Sequence, residues 1–155
     1  MSSSFENRCK QLVAELGLGK AEDVRSITPL TGGVASDIAM IELPGQRICV
    51  KFALAKLKVA EDWHAPIGRN KAEYEWLRVA ASIFPDNAPH MFGRSEVENG
   101  FAMEFIEGDQ VYLWKSALLQ AQPDKGEAVK VGRMLGQIHA ISTAPDFDAS
   151  AFQNR

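Results

Sequence analysis

Arg47-Ile48-Cys49-Val50-Lys51-Phe52 alternates with a period of two and follows the turn signals Pro44-Gly45-Gln46. Alternation, β-branched residues and a preceding turn predict a strand. Ile48, Val50 and Phe52 then share one face, and Cys49 and Lys51 share the other, because successive side chains point to opposite sides of a strand. A lysine on the inner side of an otherwise apolar strand is costly unless an anion meets it. The strand therefore poses a chemical question: which anion meets Lys51.

Upstream, residues 24–30 predict a first strand, Thr31-Gly32-Gly33-Val34-Ala35-Ser36-Asp37 a turn, and residues 38–43 a second strand. With the Lys51 strand they form an antiparallel meander. Glycines in such a turn let the backbone approach a ligand closely, and their amides can cradle a phosphate. A Gly-Gly pair is equally the ordinary content of a plain hairpin turn. Residues 5–16 carry Phe5, Cys9, Leu12, Val13 and Leu16 at helical spacing, with Gly17 and Gly19 as the stop, and predict an amphipathic packing helix.

Downstream, residues 53–68 form a connecting excursion with Lys56 and Lys58 exposed and Trp63 as a packed anchor or the wall of a site. Residues 69–84 are helical, with Ala72, Trp76, Val79, Ala80 and Ile83 on the core side and Pro85 as the stop. Of the two glutamates there, Glu73 lies one turn before Leu77 and points inward, whereas Glu75 is rotated away. Residues 90–97 and 100–106 predict a second hairpin across Glu98-Asn99-Gly100. Glu107-Gly108-Asp109 breaks the strand, and residues 111–120 and 124–142 read as helices, the second with Asp124 as N-cap. Its apolar positions are Val129, Val131, Leu135, Ile138 and Ile141. The expected fold class is α+β: a five-stranded antiparallel sheet with one helix between its third and fourth strands, followed by helices.

The formal net charge of −3 offers no basic field for nucleic acid. Two cysteines form no disulfide framework and fit a reducing compartment. No leader is read at the N-terminus, and no run approaches the ~20 apolar residues of a membrane span, so a cytoplasmic location without membrane contact is expected.

Glycine turn, strand lysine, helix glutamate and a strand ending in Met103-Glu104-Phe105-Ile106-Glu107-Gly108 stand in one order. Their joint logic is the nucleotide half of a phosphoryl-transfer site: the turn covers phosphates, Lys51 holds them, and Glu73 fixes the lysine. With Leu30-Thr31-Gly32-Gly33, Val50-Lys51 and the run from Gly132 to Ala140, this set resembles the aminoglycoside phosphotransferase and choline kinase-like family, which has a protein-kinase-like fold. The resemblance covers about residues 24–143. It implies a kinase-like N-lobe over residues 1–108 and the first helices of an incomplete C-lobe over residues 109–155.

Residue by residue, the resemblance implies ATP as cofactor, with Lys51 on its α- and β-phosphates, Glu73 as partner, and Gly32, Gly33 and Ser36 lining the phosphate loop. Met103 takes the gatekeeper position, backbone groups of Glu104 and Ile106 bond the adenine, and Cys49, on the Lys51 face, touches it. Ala35 stands where many relatives carry serine. The segment 51–69, with Glu61-Asp62-Trp63, is also similar to methylthioribose kinases, less closely.

The family's His-Gly-Asp catalytic loop and its later metal-binding Asp have no counterpart between Ile141 and Arg155. Asp146 and Asp148 lack the flanking His-Gly and read as a solvated loop pair, and His139 reads as a packed helix residue. His64, His90 and His139 have no metal-ligand spacing. No catalytic residue and no metal ligand is therefore assigned. The expectation is the ATP-binding part of a small-molecule phosphotransferase, inactive alone, whose parent uses ATP with Mg2+ on an aminoglycoside-, choline- or sugar-like hydroxyl. Two alternatives stay open: a non-catalytic kinase-like binding module that self-associates through its later helices, and an unrelated α+β domain whose lysine snorkels.

Overall fold

A computed structural model of the chain describes residues 4–31, 33–108, 111–123 and 125–152. In chain order the elements are α1 (Phe5–Glu15), β1 (Ser26–Pro29), β2 (Ser36–Leu43), β3 (Gln46–Ala53), α2 (Arg69–Ile83), β4 (Met91–Ser95), β5 (Gly100–Glu104), α3 (Trp114–Leu119) and α4 (Glu127–Ser142). Single 3-10 turns occupy Ala21–Asp23, Pro85–Asn87 and Ser150–Phe152. The strands form one antiparallel sheet in the order β1-β2-β3-β5-β4. The architecture is thus α+β, with α2 inserted between the third and fourth strands.

β3 is central, paired along its length with β2 and over most of it with β5. Its two faces have different neighbours. Ile48, Val50 and Phe52 join Ala39, Ile41, Leu43 and Ala102 and are sealed by Cys9, Leu12 and Val13 of α1, all at most 2% exposed. Burying side chains of this size stabilises by roughly 1.5–3 kcal/mol each before entropy is counted, so this face anchors the fold. The side chain of Ser4 caps α1 by accepting from the Asn7 amide at 3.3 Å. Arg8 latches the helix to the β4–β5 turn, donating through Nη2 to the Glu98 carbonyl at 2.6 Å and lying 4.4 Å above the Phe52 ring.

α2 lies on the opposite face, where Tyr74 meets Phe101 with ring centroids 5.8 Å apart. Its docking is more polar than expected. Asn70 is its buried residue, whereas Trp76, assigned to the core side from spacing, is exposed. The other residues expected on the core side, Ala72, Val79, Ala80 and Ile83, are half-buried, as befits a helix covered along one narrow contact line.

The β4–β5 turn shows why Asn-Gly stands there. Asn99 takes φ +47°, and asparagine is among the residues that tolerate this region. A Cβ on Gly100 would lie 2.3 Å from Phe52 Cδ1, so the glycine is required by packing.

Several boundaries differ from those expected. β2 begins at Ser36, because Ser36 pairs with Ala53 and extends the ladder into the glycine turn. The helix expected over 111–120 is reduced to Trp114–Leu119. α4 starts at Glu127 after Gly126 in the left-handed region (φ +95°), not from a cap at Asp124, which lies outside the described residues. Among the patterned apolar residues of α4, Ile138 is buried while Val129, Val131, Leu135 and Ile141 are exposed. The 3-10 turn Ser150–Phe152 returns to lie against α2. Among the described residues, no helix is long and apolar enough to cross a membrane.

Candidate functional site

The alternation of β3 delivers Lys51 to the α2 side of the sheet, directly opposite Ile38 on β2 and Phe101 on β5. Its Nζ donates to Glu73 Oε1. The lysine side chain is 21% exposed and the glutamate 38%, so the pair is partly exposed and reachable from solvent. Asn70, Glu73 and Tyr74 share one helical face by i,i+3 and i,i+4 spacing. Asn70 Nδ2 approaches the Lys51 carbonyl at 3.5 Å, and its Oδ1 accepts from Arg94 Nε at 3.3 Å. Glu75 turns away to Arg78 at 3.0 Å.

The glycine turn lies at the end of this face. Gly32 falls outside the described residues. Gly33 is close-packed: a Cβ there would meet Ile38 Cδ1 at 3.3 Å and the Ser36 carbonyl at 3.4 Å. Ser36 is a buried residue of β2 on the Lys51 face, opposite Ala53. The turn is tied to the excursion after β3. Leu54 N–H donates to the Ala35 carbonyl at 3.1 Å and Lys58 N–H to the Val34 carbonyl at 2.8 Å. Lys58 Nζ also pairs with Asp37 at 2.6 Å. Within the excursion Trp63 is 60% exposed rather than packed. It stands on a short antiparallel bridge between Lys56 and His64, with its backbone engaged and its ring free of the core.

Further along the same face Cys49 lies between Met40 and Met103 in register, and Met103 is followed by Met91 on β4. These flexible, polarisable side chains suit a flat apolar ring. Burial pushes the Cys49 thiol above its ordinary pKa, with the nearby Lys51 charge acting against the shift. At the strand end, the Glu104 amide donates to the His90 carbonyl at 2.8 Å, so this amide is already engaged. The Ile106 amide has no backbone partner among the described residues. Arg47 and Glu107 pair at 2.8 Å beside it.

The structure thus brings Gly33, Ser36, Cys49, Lys51, Glu73 and Met103 to one face, with Glu104 and Ile106 at its edge. Spacing did not single out Ile38 and Phe101, which flank Lys51 by register, nor Asn70 and Arg69, which both donate to backbone carbonyls. Asp146 and Asp148 are exposed loop residues, and Asp148 is held below its ordinary pKa by bonds from Ser150. His139, expected to pack, is exposed on α4. Among the described residues, no group of three His, Cys, Asp or Glu side chains is placed to hold a metal. The site defines a class: a mixed sheet-and-helix domain presenting a partly exposed, glutamate-held ammonium. No model of a known protein family and no curated protein matches the chain.

Proposed function

We propose that the chain is the ATP-binding part of a small-molecule phosphotransferase, built as a protein-kinase-like N-lobe over residues 1–108 with the first C-lobe helices after it. The carrying observation is the Lys51–Glu73 pair, partly exposed on the face of the sheet that also carries the close-packed Gly33. In this role β3 presents the ammonium to the α- and β-phosphate oxygens, and Glu73 holds it extended towards them. Ile38, Cys49 and Met103 supply an apolar floor for the base, and backbone groups of Glu104 and Ile106 meet its polar edge. Transfer of the γ-phosphoryl group to an acceptor hydroxyl also needs a base and magnesium ligands, which in the family the chain resembles lie on a His-Gly-Asp loop and a later Asp, so this reading assigns the acceptor and the chemistry to the parent protein.

Calorimetric titration of the chain with ATP tests this. Weak binding is expected, with Lys51→Ala lowering affinity by about tenfold or more, since a charge-assisted contact worth about 1.4 kcal/mol or more is lost. The urea midpoint of Lys51→Ala should move little, because a partly exposed ion pair contributes only about 1 kcal/mol or less. Absence of ATP binding by the unaltered chain, or equal binding by the variant, would sink the proposal.

The exposed apolar side chains Leu113, Leu119, Val129 and Leu135 favour a second reading, a kinase-like binding module. Concentration-dependent sedimentation without ATP binding would favour it over the first.

A further inference from the structure

The β2–β3 ladder ends where Ser36 faces Ala53. One residue further, the carbonyls of Ala35 and Leu54 are taken by a single side chain. Arg69 Nη2 donates to the Ala35 carbonyl at 2.5 Å and the Leu54 carbonyl at 2.8 Å. Its Nη1 donates to the carbonyls of Ala65 at 3.1 Å and Pro66 at 2.7 Å. The Ala35 carbonyl also accepts the Leu54 amide, so the last peptide of the glycine turn is held from two directions.

Arg69 is the first residue of α2 and lies one helical turn before Glu73, on the same face by i,i+4 spacing. The contacts run in order along β3: Arg69 to Leu54, Asn70 to the Lys51 carbonyl, Glu73 to the Lys51 ammonium. The guanidinium that closes the ladder therefore also sets the height of α2 against β3. A planar fork with two NH2 groups can span four carbonyls, whereas a lysine ammonium cannot.

We propose that Arg69 is the positioning residue of the Lys51–Glu73 site, fixing the glycine turn and Glu73 together relative to Lys51. This rests on the ATP reading above, and it makes turn, excursion and helix start one mechanical unit.

The test compares the full chain with Arg69→Lys, Glu73→Gln and the double variant by ATP calorimetry, urea unfolding and amide hydrogen exchange. Arg69→Lys is expected to weaken ATP binding about tenfold, and to do so less in the Glu73→Gln background, since residues acting in one network are non-additive. Exchange should accelerate together at 33–36, 54–58 and 69–73 while 47–52 stays protected. A lowered urea midpoint with ATP affinity within twofold of the unaltered chain overturns the proposal, as does full additivity with Glu73→Gln. If Arg69→Lys does not fold, exchange in the unaltered chain decides. ATP slowing 33–36, 54–58 and 69–73 together supports the unit, and protection confined to one of them refutes it. If the unaltered chain binds no ATP, the ATP reading fails by itself, and the exchange pattern of Arg69→Lys still decides whether one guanidinium holds the three segments.

Discussion

Two thiols lie on opposite sides of the sheet. Cys9, on α1, is fully buried against the core face, and burial pushes its pKa from 9.0 up to about 12. The sign of the consequence is definite. Between pH 9 and about 12 the unfolded chain releases this proton while the folded chain keeps it, so stability is fully present below pH 9 and falls as pH rises. The slope from this group is at most about 1.4 kcal/mol per pH unit. Urea midpoints at pH 8 and 10.5 are expected to drop further for the unaltered chain than for Cys9→Ala; equal drops would show that the thiol is not responsible. The Lys51–Glu73 contact was legible in the sequence because two simple periods, two in the strand and 3.6 in the helix, each assigned one side chain to the space between them. Arg69 and Asn70 were not. Each bonds main-chain atoms remote in sequence, and nothing in residue type or spacing announces where those carbonyls will gather.

At the scale of elements, the β4–β5 hairpin was read from Asn99-Gly100, and the structure adds a second reason for its glycine. Gly100 gives room to the Phe52 ring across the sheet. Gly100→Ala is therefore expected to destabilise by about 1–3 kcal/mol as an overpacked core site, measured by urea unfolding. A change below 0.5 kcal/mol, the scale of ordinary surface substitutions, would mean that Phe52 moves aside freely. Helix existence was readable throughout, but helix burial was not. α4 has a regular apolar pattern, yet only one of its patterned apolar residues is buried, because periodicity reports which side could be covered and says nothing of what covers it. α3 was overestimated for a similar reason, since its apolar run 111–119 stays mostly in solvent.

For the whole molecule, the division is between a sheet face sealed under α1 and a face that carries the Lys51–Glu73 pair. Purified chain is expected, on the proposed reading, to show no ATP-dependent phosphoryl transfer above a Lys51→Ala control, because its sequence contains no His-Gly-Asp run. Turnover above that control with any alcohol acceptor would overturn the assignment of the chemistry to the parent protein. The two-sidedness of β3 also bears on how this chain can vary by descent. An extra codon inside 46–51 would invert the strand beyond it, driving an ammonium towards the α1 side and turning aliphatic groups towards α2. Single-residue insertions are thus expected to be rejected within these six positions and accepted in the bend at 59–61, where an added residue inverts no strand.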